Sequence, residues 1–260
     1  MGAMADEKRV KIDAFAEGVW RCRDHDAIVC VDVITAGTTL VTSMAHGRRT
    51  LALPPLEPTA GPHEWLRLND IEFTGRGGRD DTLGPRDLEN RPDRERPLVL
   101  RSMLGELLAA APLDRPLYVA CLRNLSATVT HLLEHHDRIA IVAAGVAGEP
   151  RFEDEMVAAW IARDLREAGH APEDRATALA IERWRRGDVS LIGLGKSAER
   201  LRTLGLQADL AFIMAHIDDV GMPCRLNGSE ISAARPVPEP AVGEDAAWMQ
   251  ASPLEQLRAS

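Results

Sequence analysis

Five almost continuously apolar runs constrain the fold of this chain more than any other feature. They are "AIVCVDVI" (27–34), "PLVLRSM" (97–103), "PLYVACL" (116–122), "IAIVAAG" (139–145) and "VSLIGLG" (189–195). A strand with one wet face alternates apolar and polar residues. A continuous run instead marks a strand covered on both faces, as in a parallel sheet between helix layers. Helical patterns separate the runs. "TTLVTSMAHG" repeats apolar residues at helical spacing and closes on Gly47, a natural C-cap. "GELLAAA", "NLSATVTHLLEHHD" and "SAERLRTLGL" also read as helices. "FEDEMVAAWIARDLREAGH" is the best of them, with Met156, Val157, Trp160, Ile161 and Leu165 on a 3.6-residue period and acids in its first turn. Strand, loop and helix in alternation predict an α/β fold, a largely parallel sheet with flanking helices.

Two stretches break this rhythm. Residues 74–97 are dense in Gly, Pro and charge and too long for an ordinary connection, so they are expected to form a functional loop. Residues 235–260 read as a loosely attached tail. The expected organisation is one α/β domain over residues 1–234, as a single unit or two closely packed lobes.

Charge and cysteines narrow the function. The formal charge of −9 argues against a nucleic-acid or anionic-membrane surface. No apolar run approaches the roughly 18–20 residues that cross a bilayer. Cys22, Cys30, Cys121 and Cys224 lie far apart without a CxxC pair, which suggests buried free thiols in a reducing compartment. A cytoplasmic protein acting on a small molecule is the expectation.

In open α/β sheets, ligands gather at the carboxyl ends of strands, near helix N-termini that favour anions. That rule selects Asp32, late in the first long run, with Thr38 and Thr39 in the turn beyond it. A carboxylate beside hydroxyls and free backbone N–H groups suits Mg²⁺ and an oxyanion. The same residues also suit a helix cap with locally bonded hydroxyls. "GRGG" offers Arg76 for bidentate pairing with an anion, and Gly77 and Gly78 for close backbone approach, or else a plain turn. Gly145 opens a glycine loop after the fourth run. Glu153, Asp154 and Glu155 follow it, either as a hard-cation site or as complements to the helix macrodipole. In "AHIDDVGMP", His216 and Asp218 fall on one side of an extended segment and read as an acid–base pair, a metal site or a surface pair. His131 and His135 read best as a solvated helix face. "GLGKSAER" lacks P-loop spacing.

Taken in order, these stretches resemble the 2-phosphosulfolactate phosphatases, Mg²⁺-dependent enzymes of coenzyme M biosynthesis and their bacterial relatives. The resemblance runs from about Lys11 to Ile231. It rests on "VCVDVITAGTTLVTSMAHG", "GRGG" with "RDLENRP", "CLRNLSATVTHLL", "IVAAGVAGEPRFEDE" and "LGLQADLAFIMAHIDDVGMP". Several family positions differ. Thr35, Ala36 and Gly37 stand where an Arg is expected, Gly75 replaces a Glu, and Ala143 and Ala147 replace a Cys and a Glu. A His near "GKSAE" is lost, and His216 replaces a Gln. Losing guanidinium contacts worth roughly 1.5–3 kcal/mol each implies an altered substrate.

The resemblance implies a hydrolase of a small phosphorylated metabolite, with Mg²⁺ at Asp32, Glu153 and Asp154. Thr38, Thr39, Arg76, Gly77, Gly78, Asn124, Ser126 and Gly145 would hold substrate, and Asp32, His216 and Asp218 would serve the chemistry. Such enzymes are often homodimers. The alternative is a repurposed homologue that catalyses another step on a biosynthetic intermediate or only binds it.

Overall fold

The computed structural model describes residues 8–48, 51–52, 72–75, 84–90, 98–112, 114–227 and 230–233. Arg76, Gly77, Gly78, most of the 74–97 loop and the tail at 235–260 lie outside the described residues. The main sheet has seven strands. In chain order they are β1 (Arg9–Ala14), β2 (Ala27–Val31), β6 (Leu117–Ala120), β7 (Arg138–Ala143), β8 (Ala171–Pro172), β9 (Cys224–Asn227) and β10 (Glu230–Ala233). Their spatial order is β10-β9-β6-β2-β7-β1-β8. The run from β6 to β8 is parallel, while β9 and β10 close the other side antiparallel. A second sheet holds β3 (Leu51–Ala52), β4 (Glu72–Gly75) and β5 (Leu98–Arg101), all parallel, in the order β3-β5-β4.

The strand alternation sorts two cores. Ile28, Cys30, Val119, Ala140 and Val142 face one layer of helices: α1 (Phe15–Arg21), α2 (Ala36–Ala45), α3 (Pro85–Glu89) and α4 (Met103–Ala110). Val29, Val31, Tyr118, Ala120, Ile139 and Ile141 face the other: α5 (Leu125–His135), α6 (Phe152–Glu167), α7 (Arg175–Trp184), α8 (Lys196–Thr203) and α9 (Gln207–Ala215). Both faces are apolar because both are covered, as the continuous runs require.

One apolar run does not become a strand. Residues 189–194 form a 3₁₀ helix, started by the Asp188 carboxylate, which accepts from Ser190 N at 2.8 Å. Ile192 is buried while Ser190 and Leu194 are exposed, and short β8 takes the sheet edge instead. Residues 98–101 are a strand, but in the second sheet. The first strand, β1, escaped the pattern because Arg9, Lys11 and Asp13 alternate with Val10 and Ile12. Gly47 does follow α2 with φ +83°, the left-handed geometry a glycine supplies without cost. All four cysteines are free and buried.

Helix α2, packed against the first core, is almost wholly buried, although Thr and Ser fill much of it. Its hydroxyls are absorbed by backbone. Thr38 donates to Val33 O, Thr39 to Thr35 O, Thr42 to Thr38 O and Ser43 to Thr39 O, all at 2.7–2.8 Å. The turn after β2 is small and polar because it must enter the interior and still satisfy every hydroxyl.

Candidate functional site

The chain leaves β2 through α2 on one face, and leaves the neighbouring β7 through α6 on the other. Connections that part to opposite faces open a crevice at the carboxyl ends of their strands. Asp32 directly follows β2, and Gly145 lies just beyond β7 with φ +61°. A side chain at Gly145 would strike the Phe15 ring at 2.5 Å and Glu149 O at 2.8 Å, so only glycine fits.

Three acids from the two sides meet at this crevice. Asp154 is 3% exposed, accepting from Val33 N (2.8 Å) with Oδ1 and from Gly145 N (3.1 Å) with Oδ2. It therefore staples the two strand ends together. Asp32 is 6% exposed and accepts from Ala36 N at 3.1 Å, with the Gly37 amide also directed at it. Gly37 must lack a side chain, because a Cβ would collide with the Asp32 carbonyl oxygen. Glu153 is 1% exposed, and neither of its carboxylate oxygens has a hydrogen-bond partner among the described residues.

Electrostatics follow from this packing. Burial, then the charge of Glu153, push the Asp32 carboxyl up to about 6, against the pull of the two amides. Burial and the charge of Asp32 push Asp154 well above the usual carboxylate range. Three acids thus share a buried space with no cation among the groups that set these shifts. Among the described residues, no three or more His, Cys, Asp or Glu side chains converge closely enough to hold a metal ion unaided.

The other expected residues have different neighbours. Thr38 and Thr39 spend their hydroxyls inside α2. Asn124 is fully buried; its Oδ1 accepts from Cys121 N and its Nδ2 donates to Val119 O, both at 3.0 Å. Asp218, at φ +50°, caps α5: it accepts from Ser126 N at 2.7 Å and from Ser126 Oγ at 2.8 Å. His216 turns away from it, stacking on Phe212 with Nδ1 2.8 Å from Phe212 O. The structure thus joins Asp32, Gly145, Glu153 and Asp154 at one crevice and Ser126 to Asp218 at another place. A cleft of about 400 Å³ opens at that second place, lined by Ser126, Thr130, His131, His135 and Asp218 among others, and by none of the three crevice acids. His131 is buried rather than solvated, because Tyr118 Oη lies 2.9 Å from its Nε2.

Sequence reasoning passed over Arg123. Its side chain is 5% exposed. It grips Asp219 with Nε and Nη2 (2.9 and 2.7 Å), and donates through Nη1 to Glu89 (3.0 Å) and Thr42 (2.8 Å). Glu89 also meets His46 at 3.0 Å. Burial alone would raise the Asp219 and Glu89 carboxyls, yet Arg123, joined by His46 at Glu89, holds both below their ordinary values. The signal was present in "CLRNLSATV", a lone Arg between a buried strand and a helix, but its partners lie 34 and 96 residues away.

A family model described as 2-phosphosulpholactate phosphatase matches residues 87–220. The chain belongs to that family. The match covers Gly145, Glu153 and Asp154, and it ends beside Asp218 and the Arg123 partner Asp219. Similar proteins extend the likeness to most of the chain. A "Probable 2-phosphosulfolactate phosphatase" of Pseudothermotoga lettingae is 28% identical over 194 residues, 71% of this chain and 82% of that protein. One of the same name from Deinococcus radiodurans is 29% identical over 233 residues, 85% of this chain and 90% of the relative. Another from Thermus thermophilus is 29% identical, covering 72% of this chain and 82% of its own length. Among the described residues, no helix is long and apolar enough to cross a membrane.

Proposed function

We propose that this protein is a Mg²⁺-dependent phosphatase of a small phosphorylated metabolite, similar to 2-phosphosulfolactate phosphatase but with an altered substrate. Family membership supports the reaction class. The observation that carries the site is Glu153, a fully buried carboxylate without a partner beside Asp32 and Asp154. An unpaired buried carboxylate is costly, and native proteins keep one where a ligand completes it. Mg²⁺ usually takes one or two carboxylates, with water and substrate phosphate supplying the rest, so a complete protein cage is not required.

Asp32 and Glu153 would hold the cation, and Asp154 would fix the two strand ends that carry it. Bound there, Mg²⁺ supplies neutralisation at the phosphoryl oxygens and a more acidic attacking water. Arg76 with the Gly77 and Gly78 amides is assigned to the phosphate oxygens, whereas Ser126 and Asp218, bonded to each other at the second cleft, and His216, stacked on Phe212, take no part at this crevice. Asn124 acts by shaping the turn after β6, since its amide is engaged by backbone on both sides.

One observation favours the second reading, binding without turnover: the described acids do not complete a metal cage on their own. The test is phosphate release from a panel of small phosphate esters, with and without Mg²⁺, by wild type, Asp32→Asn and Glu153→Gln. Release that needs Mg²⁺ and vanishes in both variants is expected. Background rates in all three proteins would sink the hydrolase reading.

A further inference from the structure

One aromatic side chain at the strand ends stands outside both cores. Helix α1 starts at Phe15, with no residue between it and Ala14, the last of β1. The chain turns at Phe15 itself: Ala14 is extended (φ −141°), and Phe15 takes φ +64°, a left-handed conformation that costs energy for a residue with a Cβ. A sharp strand-to-helix elbow of this kind lifts the side chain at its apex clear of the sheet, at the carboxyl end of the strand. Such elbows present a nucleophile in α/β hydrolases, and here the apex carries a phenyl ring.

Packing in the fold does not account for this ring. Phe15 is half-buried and, among the described residues, belongs to neither core cluster. Its ring lies against the Gly145 turn instead, where a Cβ on Gly145 would come within 2.5 Å of it. Strand register sets how far the ring's backbone is from the acids. Ala14 pairs with Ala143, and Ala143 with Val31, so Phe15, Ala144 and Asp32 are the residues that directly follow β1, β7 and β2 in one row. With neighbouring strands roughly 4.8 Å apart, Phe15 stands about 10 Å from Asp32 across the end of β7. A strained backbone persists where the surroundings hold it for a purpose, and such residues cluster at ligand sites.

We propose that Phe15 is a specificity-determining residue, whose ring forms an apolar wall of the crevice and stacks on an apolar part of the substrate's organic group. This role rests on the hydrolase reading for its site, and it adds the kind of alcohol released: one with an alkyl or aryl face a few bonds from the ester oxygen. With the phosphoryl group held at Asp32 and Glu153, the distance of about 10 Å suits a group of that length lying across the Gly145 turn. The ring offers neither charge nor a hydrogen-bonding group, so apolar contact is what it contributes to affinity. The bare backbone of Gly145 leaves the ring its place, since a side chain there would push it aside.

The test uses two phosphate esters of primary alcohols that differ only by a phenyl group, ethyl phosphate and 2-phenylethyl phosphate. With Mg²⁺ present, wild type is expected to prefer 2-phenylethyl phosphate in kcat/KM by at least about 10-fold. Phe15→Gly brings that ratio close to one through a higher KM for the phenyl ester, and Phe15→Tyr, which keeps a ring, keeps the ratio. Glycine accepts φ +64° without strain, so the urea midpoint of Phe15→Gly should stay near that of wild type. Phe15→Asn also tolerates this conformation and is expected to lose the ratio in the same way, so one poorly folding variant does not leave the matter open. A ratio near one in wild type, or a ratio that both variants keep, overturns the wall. Absence of turnover on either ester removes the hydrolase reading instead. Calorimetric titration with the two esters then decides the wall alone: tighter binding of 2-phenylethyl phosphate that is lost in Phe15→Gly supports it, and equal binding of the two overturns it.

Discussion

Two buried charge clusters flank β2 and β6, and they are built in opposite ways. Around Arg123 one cation is met by Asp219, Glu89 and the Thr42 hydroxyl, and the carboxyls answer by falling below their ordinary values. Around Glu153 three acids share a space, two of them pushed upward, and one lacks a hydrogen-bond partner among the described residues. The first cluster is complete within the chain and joins α2, α3 and the segment at 218–220. The second is incomplete among the described residues. Folding alone tends to complete buried polar groups, so incompleteness marks the place where something outside the chain is expected. Charge and burial are shared by both clusters, and only the bookkeeping of partners separates function from architecture.

The contrast can be broken most directly at Glu153. Glu153→Gln is expected to lower kcat/KM by about 10²–10³ while leaving the circular-dichroism spectrum and urea midpoint near wild type. An inactive variant that is also unfolded would place Glu153 with the architectural cluster. Next in size is Arg123→Ala, which strands two carboxyls and should cost about 3 kcal/mol in urea denaturation. Arg123→Lys should recover only part, because it cannot reproduce the fork on Asp219. Gly37→Ala forces a Cβ against the Asp32 carbonyl and is expected to cost about 1–3 kcal/mol, with activity falling as Asp32 shifts. Glu153→Leu should do the reverse in metal-free buffer, raising stability by about 1 kcal/mol as a buried charge is removed. A thermal-shift series with added Mg²⁺ should show the response of wild type disappear in that variant.

The smallest effect sharpens the comparison from a third, neutral cluster. Tyr118 Oη lies 3.0 Å from His136 Nε2, and burial, then His131, push the His136 imidazole down to about 4. Between pH 6.5 and 4 the unfolded chain binds the proton that folded His136 refuses, so stability falls as pH falls through that window. His136→Phe should flatten part of that slope in urea midpoints measured from pH 7 to pH 4.5. An unchanged slope would mean the imidazole is open to water.

The continuity of the apolar runs carried the doubly covered parallel sheet, because burial on both faces leaves no position for a charged residue in β2, in β6, or in β7 beyond its first residue, Arg138. The helices α2, α5 and α6 announced themselves through their period, and α4 and α8 read as short helical stretches. Half-polar β1 and the 3₁₀ segment at 189–194 did not, since their environments are set by sheet edge and neighbours rather than by local pattern. The strand-end rule singled out Asp32, and acids near a glycine loop singled out Glu153 and Asp154. The chain order could say that those residues belong near strand ends. It could not say that Asp154 is tied by two amides, that Glu153 is left without a partner, or that the Phe15 ring lies on the Gly145 turn. Such facts depend on long separations, such as the 121 residues between Val33 and Asp154, closed to hydrogen-bond distance. Periodicity is a local property that sequence carries in full. Whether a buried charge is satisfied is a property of the space around it, and only the folded chain decides that.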